Sequence, residues 1–112
     1  MGISFAFQTT CTLKNRTILK QWIKLVIENN NKKVGEIAYI FCSDEQLLKI
    51  NKEFLNHDYY TDIITFDYSE TDVVSGDMFI CIDRIKDNAI ILGVADQEEL
   101  HRVIIHRILH LL

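Results

Sequence analysis

The chain has 112 residues, of which 48% are hydrophobic and 25% charged, and its formal net charge at pH 7 is −4. This length predicts one domain, and this composition excludes an intrinsically disordered chain because enough apolar surface is available for a packed core. No apolar run approaches the roughly 18 residues of a membrane span, and the N-terminus lacks the pattern of a secretory signal, so we expect a soluble cytoplasmic domain.

The first half of the chain is predicted to form a strand, a helix, a strand and a helix, at residues 3–7, 13–28, 36–42 and 43–54. In the first helix, apolar residues recur at helical spacing opposite a row of lysines, and the asparagines at 29–31 end it. The second strand is rich in apolar and aromatic residues. Ser43 stands three residues before Gln46, a capping-box pattern that predicts the start of the second helix.

The second half is predicted to alternate loop and strand twice, at residues 56–60, 61–68, 69–76 and 77–82. Asp83 is expected to cap a short helix that Gly93 ends. Asp96, followed three residues later by Glu99, is expected to open the last helix. Helices packed on a small mixed sheet of about four strands give an α+β class, with residues 1–112 forming a single domain.

The three cysteines, Cys11, Cys42 and Cys81, are an odd number without the spacing of a metal site or a disulfide scaffold. Cys42 and Cys81 each lie in an apolar run, where a free cysteine behaves as a small buried hydrophobe. A catalytic cysteine is the alternative, but nothing near either residue is of a kind to lower its pKa.

Charge is distributed unevenly along the chain. Residues 1–52 carry eight basic and four acidic side chains, whereas residues 53–112 carry four basic and twelve acidic ones. Four basic residues of the first predicted helix are candidates for RNA binding: Lys14, Arg16, Lys20 and Lys24. The alternative is that they form the solvated face of an amphipathic helix. The overall acidity argues against tight non-specific binding to duplex DNA.

Candidate metal ligands are concentrated in the last predicted helix. His106 and His110 are four residues apart, so they lie on one face of the helix, one turn from each other. Two imidazoles at this spacing are suited to gripping one Zn²⁺ ion, and a structural or surface pair is the alternative. His101 lies about 140° around the helix from His106 and is expected to face elsewhere. His57, in the predicted loop, is a weak candidate for a further ligand.

Several segments resemble one known family. The segment HRILHLL at 106–112 is similar to the start of the signature His-Gly-x-Leu-His-Leu-x-Gly-Tyr-Asp-His of the YbeY family of bacterial rRNA maturation factors. Leu-Asn at 55–56, TDIITF at 61–66 and GDMFICID at 76–83 resemble the family's loop and strands, so the resemblance covers roughly residues 34–112.

The resemblance implies an α+β metal-dependent hydrolase with its metal-site helix at the C-terminus. It implies a single-strand endoribonuclease that acts in 16S rRNA 3′-end maturation and ribosome quality control. It also implies one zinc ion held by three histidines, two of them His106 and His110, and rRNA and small-subunit components as partners. Zinc lowers the pKa of its bound water toward 7 and polarises a phosphoryl oxygen. RNA hydrolysis needs both effects, because it requires a nucleophile and an activated phosphate.

The sequence departs from the family pattern in several respects. The third histidine would lie six residues after His110, beyond Leu112, and the chain stops at an apolar Leu-Leu within a predicted helix, so we expect the C-terminal part of the domain to be missing. Arg107 stands where the family has glycine, and its guanidinium beside a dication is electrostatically unfavourable. The loop at 56–60 also lacks the family's substrate-contacting arginine, and the sequence does not identify a general base.

Three functions remain open at this stage. The first is an active zinc-dependent ribonuclease whose third ligand comes from His57 or from a partner chain. The second is a catalytically disabled, metal-free chain of the same fold that only binds ribosomal or RNA partners. The third, by analogy with other His-x-x-x-His helices, is a zinc protease.

Overall fold

The computed structural model describes residues 2–56 and 62–112, and it arranges them as one four-stranded sheet with four helices. In chain order the elements are β1 (Gly2–Phe7), α1 (Arg16–Asn29), β2 (Lys33–Cys42), α2 (Asp44–Leu55), β3 (Ile63–Asp67), β4 (Val73–Cys81), α3 (Ile82–Leu92) and α4 (Asp96–Leu111). The predicted order and the α+β class are confirmed. No helix in these two ranges is long and apolar enough to cross a membrane.

The sheet is mixed, with the strand order β1-β2-β4-β3. β1 pairs with β2 and β2 pairs with β4 in parallel, whereas β3 and β4 run antiparallel. A parallel pair needs a long crossover, which α1 provides between β1 and β2. A short connection is enough for an antiparallel pair, and β3 and β4 are joined by the few residues between Asp67 and Val73.

The two faces of the sheet pack against different helices. On one face, Ile37, Tyr39 and Phe41 of β2 join the main core with residues of α1, α3 and α4, and the Tyr39 hydroxyl donates to the carbonyl of Ile104 at 3.2 Å. On the opposite face, Cys42 packs in a smaller cluster with Leu47 of α2. We call these the α4 face and the α2 face. The side chains of successive strand residues point to opposite faces, so every second residue of a strand contacts the same helices.

Capping chemistry explains where several helices begin and end. The Ser43 hydroxyl accepts from the Gln46 backbone N–H while the Gln46 side chain accepts from the Ser43 N–H, which confirms the predicted capping box. Gly93 ends α3 in the left-handed conformation that glycine adopts without strain, also as predicted. The prediction for Asp83 was wrong: Cys81 is the N-cap, and Asp83 lies in the first turn of α3.

The starts of β4 and α1 also differ from the predicted ones, as does the start of β2, which lies at Lys33 instead of residue 36. β4 begins at Val73, inside the predicted acidic loop, because Lys33 and Val34 at the start of β2 provide backbone partners for residues 73 and 74. α1 begins at Arg16 because Asn15 takes a left-handed conformation (φ 60°) that interrupts the helix predicted from residue 13. Most of the predicted loop at 56–60 lies outside the described residues.

Candidate metal centre and nucleic-acid interface

The helix α4 carries the predicted metal ligands on its outer surface. Its first turn contains three acidic residues, which suit the positive end of the helix dipole: Asp96, Glu98 and Glu99. Its apolar residues follow at spacings of three and four and are buried against the sheet: Leu100, Ile104, Ile108 and Leu111. Because the buried stripe occupies one side of the helix, His106 and His110 are directed away from the core and are exposed.

The two predicted ligands are brought together by the structure. The Nε2 atoms of His106 and His110 lie 3.1 Å apart, and their ring centroids are separated by 4.8 Å. Two nitrogens bound to one tetrahedral zinc at about 2.05 Å are separated by about 3.3 Å. The pair therefore fits two corners of a zinc site with little rearrangement. Without a metal, the same contact serves as a hydrogen bond when one of the two nitrogens carries its proton.

No third ligand joins this pair within residues 2–56 and 62–112, since no group of three metal-ligating side chains there includes either histidine. The Nε2 of His101 lies 2.9 Å from the carbonyl oxygen of Lys14, so this side chain contacts the segment before α1. His57 lies outside the described residues. The site therefore offers a cation two nitrogens and leaves its remaining positions open.

A buried acidic residue lies near the start of the same helix. Glu99 is 1% exposed, and Arg102 one turn later donates two hydrogen bonds to its carboxylate, at 2.6 and 2.8 Å. Hydrogen bonding by Arg102 outweighs the desolvation of the carboxyl group and lowers the pKa of Glu99. Glu99 therefore forms an ion pair within α4. This pairing argues against Glu99 as the general base, which the sequence does not identify. This ion pair could have been predicted from the sequence, because an arginine follows the glutamate by three residues.

A second group of potential ligands, which the sequence analysis did not identify, lies at the carboxyl ends of β2 and β4. Asp44, Cys81 and Asp83 bring one ligand atom each within 4.8 Å of one another, and they are the one such group of three or more in the described ranges. The Cys81 thiol donates to Oδ1 of Asp44 at 2.9 Å. The backbone N–H of Asp44 donates to Oδ2 of Asp83, also at 2.9 Å.

These atoms already have partners, so the group does not fit a metal ion well. The Arg84 guanidinium donates to the same Asp44 oxygen at 3.1 Å and brings a positive charge where a metal would lie. Burial, together with the hydrogen bond to Asp44, raises the pKa of Cys81 to about 12, whereas only a thiolate binds metal strongly. Burial also raises the pKa of Cys42, to about 11, and both thiols are fully buried, as predicted. The Asp44 group therefore joins α2 to β4 and α3 as a structural contact.

The predicted basic residues are exposed but do not form one surface. The Arg16 guanidinium lies 4.7 Å from the centre of the Phe7 ring, and the Lys20 ammonium lies 5.7 Å from the centre of the Phe5 ring. These contacts with β1 hold the two side chains along the edge of the sheet. Lys14 lies elsewhere, at the start of α4, because its backbone N–H donates to the Gln97 side chain.

An open cleft about 460 Å³ in volume separates α1 from the edge of the sheet. Three lysines line it: Lys20, Lys24 and Lys33. The first two are among the predicted RNA-binding candidates, and Lys33 lies beside them at the start of β2. The cleft also contains Glu28, which reduces its positive charge.

The comparisons with known proteins agree with each other. The family model described as Endoribonuclease YbeY matches residues 5–112. The Endoribonuclease YbeY of Bacteroides thetaiotaomicron is 60% identical over 91 residues, which cover 81% of this chain and 66% of that protein. The Parabacteroides distasonis protein of the same name is 58% identical over 90 residues, covering 80% of this chain and 63% of the relative.

A solved structure with a similar fold is also known. The solution structure of TM1509 from Thermotoga maritima superimposes with a TM-score of 0.65 at 26% sequence identity, covering 97% of this chain and 71% of that one. The chain thus spans just under two thirds of the length of the two curated relatives and almost three quarters of the solved structure.

Proposed function

The chain belongs to the YbeY family, and from this premise we propose that it acts as a zinc-dependent single-strand endoribonuclease. We place its activity in 16S rRNA 3′-end maturation and ribosome quality control, in the cytoplasm, with rRNA and small-subunit components as partners. The observation that carries the proposal is the 3.1 Å separation of the Nε2 atoms of His106 and His110 on the exposed side of α4.

His106 and His110 would hold the zinc ion, and a third donor would come from outside the described residues, with His57 as a candidate. When bound, zinc lowers the pKa of its water and polarises a phosphoryl oxygen. The chain itself positions the two imidazoles. Ile104 and Ile108 are fully buried beneath the pair, so α4 holds both imidazoles at a fixed spacing. The exposure of both rings leaves room for a single-stranded RNA backbone to approach.

Electrostatic attraction of the RNA is assigned to the basic residues predicted from the sequence. Arg16, Lys20 and Lys24 follow one exposed stripe of α1, and Lys33 extends it across the cleft. Lysine and arginine contacts with phosphates release counterions, so binding through this surface weakens as the salt concentration rises. Lys14 belongs to the candidate set by sequence, but its position near α4 gives it a separate contact.

The test measures zinc content and RNA cleavage in the same preparations. Elemental analysis of the purified protein is expected to give near one zinc per chain, and a labelled single-stranded RNA with the 16S 3′-end sequence is expected to be cut, with loss of cleavage on chelation. Replacing His106 or His110 with alanine should abolish both signals, whereas the control His101→Ala should retain both. Cleavage that persists after both replacements would contradict the proposal.

The second candidate function is binding without catalysis, and Arg107 favours it. This residue is adjacent in sequence to His106, is half-buried, and brings a positive charge to the turn that carries the ligands. A chain with near-zero zinc content that still binds the labelled RNA in a salt-dependent way would support this function instead. The zinc measurement therefore separates the two candidates directly.

A further inference from the structure

An aromatic pocket lies on the α2 face of the sheet, where α2 ends. It has a volume of about 230 Å³ and six lining residues: Ile50, Phe54, Phe66, Tyr68, Asp77 and Phe79. Phe54 and Tyr68 are 67% and 59% exposed, although aromatic side chains usually contribute their area to a core or an interface. Large aromatic surface left in solvent at a concave site is a feature of ligand pockets.

The rings have an orderly arrangement. The Phe66 ring meets the Phe79 ring edge to face, with centroids 5.8 Å apart, and it meets the Phe54 ring in the same way at 6.1 Å. The interplanar angles of 81° and 87° place neighbouring ring planes nearly at right angles. A flat ligand can therefore stack on one ring while its edge contacts another. Phe66 and Phe79 are anchored on adjacent β-strands, so this geometry is held by the sheet.

One carboxylate adjoins these rings. Asp77 pairs with Phe66 in the register of β3 and β4, and it lies two residues before Phe79, so all three side chains are on the same face of the sheet. Asp77 is half-buried in the pocket, and within the part of the chain that the structure describes no group donates a hydrogen bond to its carboxylate. A half-buried acceptor beside exposed aromatic rings is suited to a flat ligand whose edge carries N–H donors.

We propose that this pocket binds one nucleobase of a single-stranded RNA, by stacking on the aromatic rings and by hydrogen bonding of an exocyclic amine to Asp77. The inference rests on the proposed function, which supplies RNA as the substrate class. Proteins bind single-stranded RNA by stacking its bases on aromatic side chains and by contacting their Watson–Crick edges. A carboxylate accepts from the N4 amine of cytosine, whereas uracil has a carbonyl oxygen at the same position.

The local charges favour recognition of the base over recognition of the phosphate. Asp67 ends β3 next to Tyr68, and with Asp77 it makes this end of the sheet unfavourable for a phosphate group. The basic cleft at α1 borders the opposite edge of the sheet, on β1. Binding of a base in the aromatic pocket should therefore depend little on salt, in contrast to binding through the lysines.

The experiment titrates the 112-residue chain with two uncharged probes, cytidine and uridine, and follows the binding by NMR chemical shifts. We expect cytidine to perturb the residues of the pocket and to bind at least about fivefold more tightly than uridine. Asp77→Asn should remove most of this preference. Phe54→Ala should weaken both nucleosides by about 5- to 150-fold, the range for loss of one stacked base. Ile91→Ala removes an equally exposed apolar side chain from α3 and is the matched control.

The outcomes separate this inference from the proposed function. If neither nucleoside perturbs the pocket, or if Phe54→Ala leaves both affinities unchanged, the inference is overturned even in a chain that binds zinc and cleaves RNA. Equal affinities for cytidine and uridine would overturn the role of Asp77. Conversely, cytidine binding at the pocket in a chain with neither zinc nor cleavage would support the inference and contradict the nuclease proposal. Phe54 and Tyr68 are exposed, so their replacement is not expected to unfold the domain.

Discussion

The described residues bring metal-ligating side chains together in two clusters, which differ in what their ligand atoms already contact. His106 and His110 are exposed, and their Nε2 atoms have only each other as close partners among the contacts of the described chain. The ligand atoms of Asp44, Cys81 and Asp83 lie within 4.8 Å of one another, but a thiol proton, a backbone N–H and an arginine already contact them. Proximity of ligand types is therefore not sufficient for a metal site.

The two clusters differ in the free energy that binding a cation would cost. A cation at the Asp44 cluster would have to displace Arg84 and remove a proton from a buried thiol whose pKa is raised to about 12. A cation at the histidine pair displaces at most one hydrogen bond, in solvent. The comparison predicts that the two clusters respond in opposite ways to substitution: the first controls stability, and the second controls metal affinity.

The largest effect is expected from His106→Ala. Loss of one of the two proposed ligands should reduce zinc affinity by more than the roughly 10- to 100-fold that loss of an outer-shell partner costs. Isothermal titration with zinc measures this change. The free energy of unfolding without metal should stay nearly constant, because the side chain is exposed. A large loss of stability with unchanged zinc affinity would reverse the roles assigned to the two clusters.

The next effect is expected from Asp44→Ala. This change leaves the Cys81 thiol and the Arg84 guanidinium without their shared acceptor, so the free energy of unfolding should fall by about 1–3 kcal/mol. Urea denaturation followed by circular dichroism measures the loss. Glu45→Ala removes a neighbouring acidic residue that is exposed in the same helical turn, and it serves as the control. Reduced zinc content in Asp44→Ala alone would show that the buried cluster binds the metal.

Glu99→Gln tests the ion pair near the start of the metal-site helix through its pH dependence. The pKa of Glu99 in the folded protein is lowered from its ordinary value of 4.5, so the pair stabilises the fold fully above that value, and the stabilisation is lost as the pH falls through the lowered pKa. We expect Gln to cost about 1 kcal/mol at neutral pH and less at acid pH.

Urea unfolding of this variant between about pH 3 and 7 measures the effect. Glu98→Gln removes a charge from the same turn at an exposed position and controls for the helix dipole. A constant difference between Glu99→Gln and the parent protein at every pH would show that the carboxylate of Glu99 does not contribute through its charge.

The smallest effect is expected from Arg107→Gln. Glutamine has a helix propensity close to that of arginine, so the substitution isolates the charge beside the histidine pair. Zinc affinity should rise by a few-fold, corresponding to about 1 kcal/mol or less for a screened, partly exposed charge, and the gain should shrink as salt is added. Arg107→Lys keeps the charge and should leave the affinity unchanged. A gain of the same size in both variants would indicate a steric origin.

Local sequence patterns predicted much of the fold. The capping box at Ser43, the glycine that ends α3 and the apolar and aromatic residues that indicate β2 are local patterns, and all three were recovered. The pairing of His106 with His110 was recovered for the same reason, since residues four apart on a helix are always neighbours. The start of β4 was missed, because Val73 becomes part of a strand only by pairing with a segment 40 residues earlier in the chain.

Sequence alone determined the order of the helices and strands, the apolar side of several of them, and the family that the motifs at 55–112 resemble, because these properties are local or inherited as short patterns. Only the tertiary structure decided that the Cys81 thiol donates to Asp44 beside Arg84, that Lys33 lies beside the lysines of α1, and that four aromatic rings line a pocket with Asp77. Each of these groups is assembled by the strand order β1-β2-β4-β3, which places distant segments side by side. That order is fixed by burial of the whole sheet between its helices, and no short window of residues contains it.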